Sequence, residues 1–248
     1  MSPGTDPGAG GGHVEGIERV LVVAAHPDDI EFGSAGTICG WTEAGVDVVY
    51  CIVTDGDAGG FDPSVSRTEM GGIRRSEQEA AAEMAGARDV VFLGYPDGRL
   101  MVTLELRRDL SRVIRQVRPQ RVLLPSPERN WQRVFASHPD HMAAGEAAMS
   151  AVYPDSRNPF AHPELLEEKL EAWTVPEVWV TGMAEPDVYV DITATIDRKI
   201  KALLCHVSQH LDPEALDGRM RAWGQAVATA GGLPEGRYAE AFRRVQTG

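Results

Sequence analysis

The sequence predicts one α/β domain of Rossmann-like type, a mostly parallel sheet with helices on both faces. Three observations lead there. Runs such as Arg19-Val-Leu-Val-Val-Ala-Ala25 are continuous and β-branched, as in strands covered on both sides. They alternate with helical patterns in the order β-α-β-α-β-α-β, which implies right-handed crossovers. The chain of 248 residues suits one large domain and can bury roughly three quarters of its unfolded surface.

The elements follow in order. Residues 1–16 carry glycine, proline and acids without an apolar run behind a positive charge, so they read as a disordered leader, with the folded domain over 17–248. After the first strand, Gly33 to Ala44 reads as a helix closed by Gly45, and Val46 to Val53 as a second buried strand. Thr54 to Thr68 turns to Gly, Asp, Ser and Pro and predicts a long loop. Glu69 to Ala85 is an Ala- and Glu-rich helix ending at Gly86, Asp89 to Leu93 a third strand, Leu104 to Val117 a helix and Arg121 to Leu124 a fourth strand. A polar loop from Pro125 to Ser137 precedes His138-Pro-Asp-His141 and an Ala-rich helix to Val152. Val175–Thr181 and Asp187–Ile192 read as later strands, Ile196 to about Gln209 as a helix, and the amphipathic tail as helical.

Composition narrows the function. With 43% hydrophobic and 25% charged residues the chain reads as an ordinary soluble protein, and no stretch approaches the ~20 apolar residues of a membrane span. A net charge of -13 repels phosphate backbones and argues against nucleic acid as a partner. The three cysteines, Cys39, Cys51 and Cys205, fall in expected helix, strand and helix, so they read as small buried hydrophobes in a reducing, cytoplasmic compartment. Oligomeric state is open, and a homo-oligomer is compatible with the composition.

The chemistry concentrates in Val23-Ala-Ala-His-Pro-Asp-Asp-Ile-Glu-Phe32, where an imidazole and three carboxylates follow the first strand. The carboxyl ends of strands are where crevices form in open α/β sheets. His26 and Asp29, three apart on a tight turn, can converge on one cation, and zinc accepts both at roughly 2 Å. The third ligand is expected from His138-Pro-Asp-His141, after a strand whose end shares the same rim; His141, one turn into a helix, is the better candidate. Adjacent turn residues point apart, so Asp28 would serve as general base on the water activated by the metal. His138 would stabilise an oxyanion or protonate a leaving amine, and Asp140 would orient one of the two histidines. Each His-Pro-Asp segment alone is also good turn chemistry; two, each behind a buried strand, outweigh that reading. The donor set fits Fe2+, Co2+ or Mn2+ as well as Zn2+.

These motifs, Ala25-His-Pro-Asp-Asp-Ile-Glu31 and His138-Pro-Asp-His141, together with the order of strands between them, resemble the PIG-L/LmbE-like zinc N-deacetylases from about Arg19 to about Gln209. The resemblance implies an LmbE-like fold, and removal of an acetyl group from a small N-acetylglucosaminyl compound such as the precursors of mycothiol or bacillithiol. It implies zinc on His26, Asp29 and His141, Asp28 as base and His138 near the scissile carbonyl. It further implies that Arg74, at the start of an Arg-x-x-Glu helix, reaches the substrate, and that Asp97 binds sugar hydroxyls. Arg74 otherwise reads as a solvated helix charge and Asp97 as a Pro-Asp-Gly turn. A late His-x-Ser-Gln segment, His206 to Gln209, matches as well.

Ile30 displaces Glu31 from the pattern of part of the family, so Glu31 reads as a supporting acid or helix-start residue and not as a ligand. Phe61 and Trp131 are candidates to stack on a sugar face, though loop aromatics more often cover core. The rival enzyme reading is an amidase that cleaves a larger amide of a thiol-sugar conjugate. A non-catalytic sugar-binding protein is the rival from another class. A dinucleotide enzyme is disfavoured, since no Gly-x-Gly-x-x-Gly follows the first strand.

Overall fold

The structure, a computed structural model, describes residues 14–248 except 133, 135 and 136; most of the predicted leader lies outside the described residues. Strands β1 (Arg19–Ala24), β2 (Asp47–Thr54), β3 (Asp89–Tyr95), β4 (Arg121–Pro125) and β5 (Glu177–Thr181) run parallel. With β6 (Val188–Asp191) and β7 (Ala239–Gln246) they form a seven-stranded sheet of order β3-β2-β1-β4-β5-β7-β6, in which β7 is antiparallel to both neighbours. The strands alternate their side chains between two cores. Val20, Val22 and Ala24 join Tyr50, Ile52 and Trp179 on one face, while Leu21, Val23 and Ala25 join Cys51, Leu110 and Ile114 on the other. Burial on both faces explains why these strands read as unbroken apolar runs.

The order reverses between β1 and β4, whose carboxyl ends therefore border a crevice. Helices α1 (Asp29–Gly33) and α2 (Ala35–Glu43) follow β1, α3 (Arg67–Ala85) follows β2, α4 (Leu104–Val117) follows β3, and α5 (Pro139–Ser150) follows β4. A short α6 (Glu164–Glu167), α7 (Ile196–Leu203) and α8 (Pro213–Ala230) complete the set. The helix α5 comes close to the end of β4 because of Gly145. A Cβ there would lie 2.2 Å from the Pro125 carbonyl oxygen and 3.0 Å from the Pro127 nitrogen. Gly145→Ala is therefore expected to destabilise the fold by about 1–3 kcal/mol, helix propensity notwithstanding. An unchanged denaturant midpoint would show that residues 125–127 yield freely.

Several boundaries differ from the sequence reading, each for a local reason. Helix α3 begins at Arg67 because Ser66 caps it, accepting from the Glu69 amide. The helix expected over Gly33–Ala44 is two, broken at Ser34. The helix expected to reach Gln209 ends at Leu203; a turn then carries His206 inward before the short 3-10 segment Val207–Gln209. The tail is not helical throughout: Gly231, Gly232 and Pro234 follow α8, and the chain returns as β7. Glu240 disguised that strand. Only 5% exposed, it accepts from the amides of Gly36 and Thr37 and pairs with Lys199 at 2.5 Å, so an apparent surface acid is an internal anchor. Cys39 and Cys51 are buried and Cys205 half-buried, all as free thiols.

Candidate active site

The first motif is held by its own turn. The Asp29 carboxylate accepts the His26 amide at 2.8 Å, and the Asp29 amide approaches the His26 carbonyl at 3.4 Å. Between them Asp28 adopts φ 96°, a left-handed conformation that side chains other than glycine, asparagine and aspartate seldom take. The second motif is set by α5: His138 is its N-cap and Pro139 its first residue, so His141 lies one turn in.

The two motifs meet across β1 and β4. His26 Nδ1 lies 3.2 Å from His141 Nε2, and the Asp29 oxygens lie 3.4 Å from the first and 3.0 Å from the second. The corners of a tetrahedron with 2.0–2.1 Å bonds are about 3.3 Å apart, a separation the two ring nitrogens match, with Asp29 Oδ2 beside one and Oδ1 beside the other; His138 also lies within reach of both rings. The surrounding charge suits a cation. Burial alone would lower the His26 pKa, but Asp29, Asp140 and Asp97 outweigh it and lift the metal-free ring to about 12. Burial alone would raise the Asp29 carboxyl, yet His141 and His26 hold it well below the usual carboxylate range.

A second acidic group faces the other side of His26. Its Nε2 lies 3.1 Å from Asp97 Oδ1 and 3.3 Å from Asp140 Oδ2. These carboxylates are already engaged: Asp140 accepts the amides of Gly98 (2.7 Å) and Leu100 (3.2 Å), and Asp97 accepts that of Ala58 (3.3 Å). Such acceptors fix the ring and turn Nδ1 toward the cluster of donors. Asp140, expected to orient a histidine, lies on His26. Asp97, expected to bind sugar hydroxyls, is 8% exposed and lies on the same nitrogen.

Arg74 is likewise not on the open face. It is 4% exposed, sits 3.2 Å from Asp28, and donates to the carbonyls of Gly56 and Pro27. Added Cβ atoms at Gly56 or Gly59 would collide with its guanidinium, so those glycines make room for it. Burial pushes the Asp28 carboxyl up to about 7, against the pull of Arg74. His138 is exposed; its Nδ1 accepts the Asp140 amide at 3.3 Å, so a neutral ring carries its proton on Nε2. Burial, with His26 and His141 nearby, lowers its pKa.

Two residues escaped the sequence reading as a unit. Gln78 accepts the Asp28 amide at 3.1 Å through Oε1 and donates to both Glu31 oxygens. Glu31, wholly buried, also meets His206 Nε2 at 3.1 Å. The signal was available: Arg74, Gln78, Ala82 and Ala85 recur at helical spacing, which places Arg74 and Gln78 on the buried face of α3. Of the two loop aromatics, Phe61 is 56% and Trp131 77% exposed, so neither covers core.

The PIG-L family profile, described as GlcNAc-PI de-N-acetylase, matches residues 21–152. The chain is 34% identical over 230 residues to a diacetylchitobiose deacetylase of Thermococcus kodakarensis, covering 92% of this chain and 84% of that protein. It is 33% identical over 201 residues to a probable N-acetyl-alpha-D-glucosaminyl L-malate deacetylase of Bacillus cereus, covering 78% and 84%. Among solved structures, N,N'-diacetylchitobiose deacetylase of Pyrococcus horikoshii superposes with a TM-score of 0.86 at 31% identity, over 94% of this chain and 85% of that one. No helix of the described residues is long and apolar enough to cross a membrane.

Proposed function

The chain belongs to the PIG-L family of de-N-acetylases, and from that membership we propose that it is a metal-dependent hydrolase removing the N-acetyl group of a small N-acetylglucosaminyl-type sugar. One observation carries the reading. His26, Asp29 and His141 converge within 3.4 Å of one another, while Asp28, one residue away, is held apart by Arg74. Zn2+, which suits two imidazoles and a carboxylate as Fe2+, Co2+ and Mn2+ also do, would be held by His26, Asp29 and His141 and would supply an activated water and polarise the acetyl carbonyl.

The protein's own groups do the rest. Asp28 takes the proton of the attacking water and returns it to the sugar nitrogen as the amide C–N bond breaks, giving acetate and a free amine. His138, with Nδ1 engaged at the N-cap, presents Nε2–H to the oxygen on which negative charge develops. Arg74, Gln78 and Glu31 position Asp28; Asp97 and Asp140 position His26.

The test is acetate release. Purified protein reconstituted with Zn2+ is expected to liberate acetate and amine in equal amounts from at least one of a panel of N-acetylglucosaminides. No acetate from any, with a larger acid released from a thiol-sugar conjugate, would establish the amidase reading instead.

A further inference from the structure

Beside these donors lies a cavity of about 790 Å³ whose wall includes Asp29 and His141. It lies beside β7, which pairs with β6 through Ala239–Phe242 and with β5 through Arg243–Gln246. Past Thr181 the sheet therefore opens, and α8 covers the opening with Met220, Trp223 and Val227. Their spacing of three and four residues puts them on one helical face.

Beyond Asp29, His141, Asn130 and Tyr189, the polar side chains in that wall are already occupied. Lys199 donates to Glu240 and to the Phe32 carbonyl, and Glu240 accepts the amides of Gly36 and Thr37. The Ser34 hydroxyl donates to the Ile30 carbonyl, and that of Thr181 to the Leu124 carbonyl. A sugar ring placed there would leave hydroxyls facing Met220, Val227 and Trp223, which return no comparable hydrogen bonds. A hydrocarbon chain loses nothing by entering, and the volume lies within the range of small-molecule pockets.

We infer that this cavity receives an apolar chain of the substrate, borne as the N-acyl group or as the aglycone, and not a second sugar. The inference rests on the deacetylase reading for its substrate class and on the cavity wall for its chemistry.

Binding separates the sources. The zinc-loaded Asp28→Asn protein is titrated by calorimetry, below micelle concentrations, with two series. One holds methyl, butyl and octyl N-acetylglucosaminides; the other holds methyl glucosaminides N-acylated with acetyl, butanoyl and octanoyl groups. Each buried methylene strengthens binding roughly fourfold, so one series is expected to gain at least about tenfold between its four- and eight-carbon members. The series that gains names the source. Trp223→Ala, at a residue 37% exposed, and Val227→Asp are expected to abolish the gain while methyl N-acetylglucosaminide binds as before. Flat affinity in both series, or a gain that survives both wall variants, overturns the inference and leaves the deacetylase reading standing. Conversely, failure of the unaltered enzyme to hydrolyse any N-acyl sugar overturns that reading, whereas a gain lost in the wall variants would still establish the apolar site.

Discussion

Replacing Asp28 with asparagine is expected to lower the turnover number for acetate release by about 10²- to 10⁴-fold, with bound zinc and KM near those of the unaltered enzyme. Asparagine matches aspartate in shape, tolerates the φ of 96° found there, and still offers Arg74 an oxygen at the position now 3.2 Å away. What it cannot do is take a proton. Asp28→Gly gives the complementary result. A side chain at such a φ costs about 1–3 kcal/mol when its surroundings impose it, but removing it also strips the buried Arg74 of its carboxylate, so turnover is expected to be abolished and the melting temperature lowered. Zinc stoichiometry is the deciding measurement: if Asp28→Asn purifies without metal, Asp28 belongs among the ligands and the division of labour between the two aspartates is wrong.

How much of this could be read beforehand follows from the range of each signal. Strands β1, β2, β4 and β5 were legible because burial on both faces writes itself into runs of five to eight residues. The two His-Pro-Asp segments were legible as convergent because the parallel order places the ends of β1 and β4 side by side. What stayed hidden depends on partners distant in the chain. Helical spacing can put Arg74 on the buried face of α3 but cannot set it against Asp28, and Asp97 reads as a turn residue until it meets the same nitrogen as Asp140. Strand β7 was missed for a similar reason, since Glu240 breaks the apolar pattern only because Lys199 and two amides of α2 await it. Short-range periodicity cannot carry that information.

The metal assignment rests on a choice between the two sides of His26, the first of them also within reach of His138, and removing one member of each should separate them. His26 faces Asp29 and His141 through Nδ1, and Asp97 and Asp140 through Nε2. If Nδ1 faces the metal, His141→Ala is expected to lose bound zinc and all measurable turnover. Asp140→Asn would merely loosen the orientation of the ring, weakening zinc by about 10- to 100-fold. It should also lower stability by about 1–3 kcal/mol, because an amide NH2 must then face either the Gly98 or the Leu100 N–H. Thermal unfolding gives a readout independent of activity. Zinc at 100 times its dissociation constant adds about 2.7 kcal/mol, or roughly 5–10 °C for a domain of this size. That rise is expected in the unaltered protein, in Asp140→Asn only at higher zinc, and not in His141→Ala. The reverse pattern, with zinc lost from Asp140→Asn and kept by His141→Ala, would place the metal between His26, Asp97 and Asp140. Asp140 would then be a ligand, and the proposed alignment of His138 and Asp28 with the acetyl group would have to be abandoned.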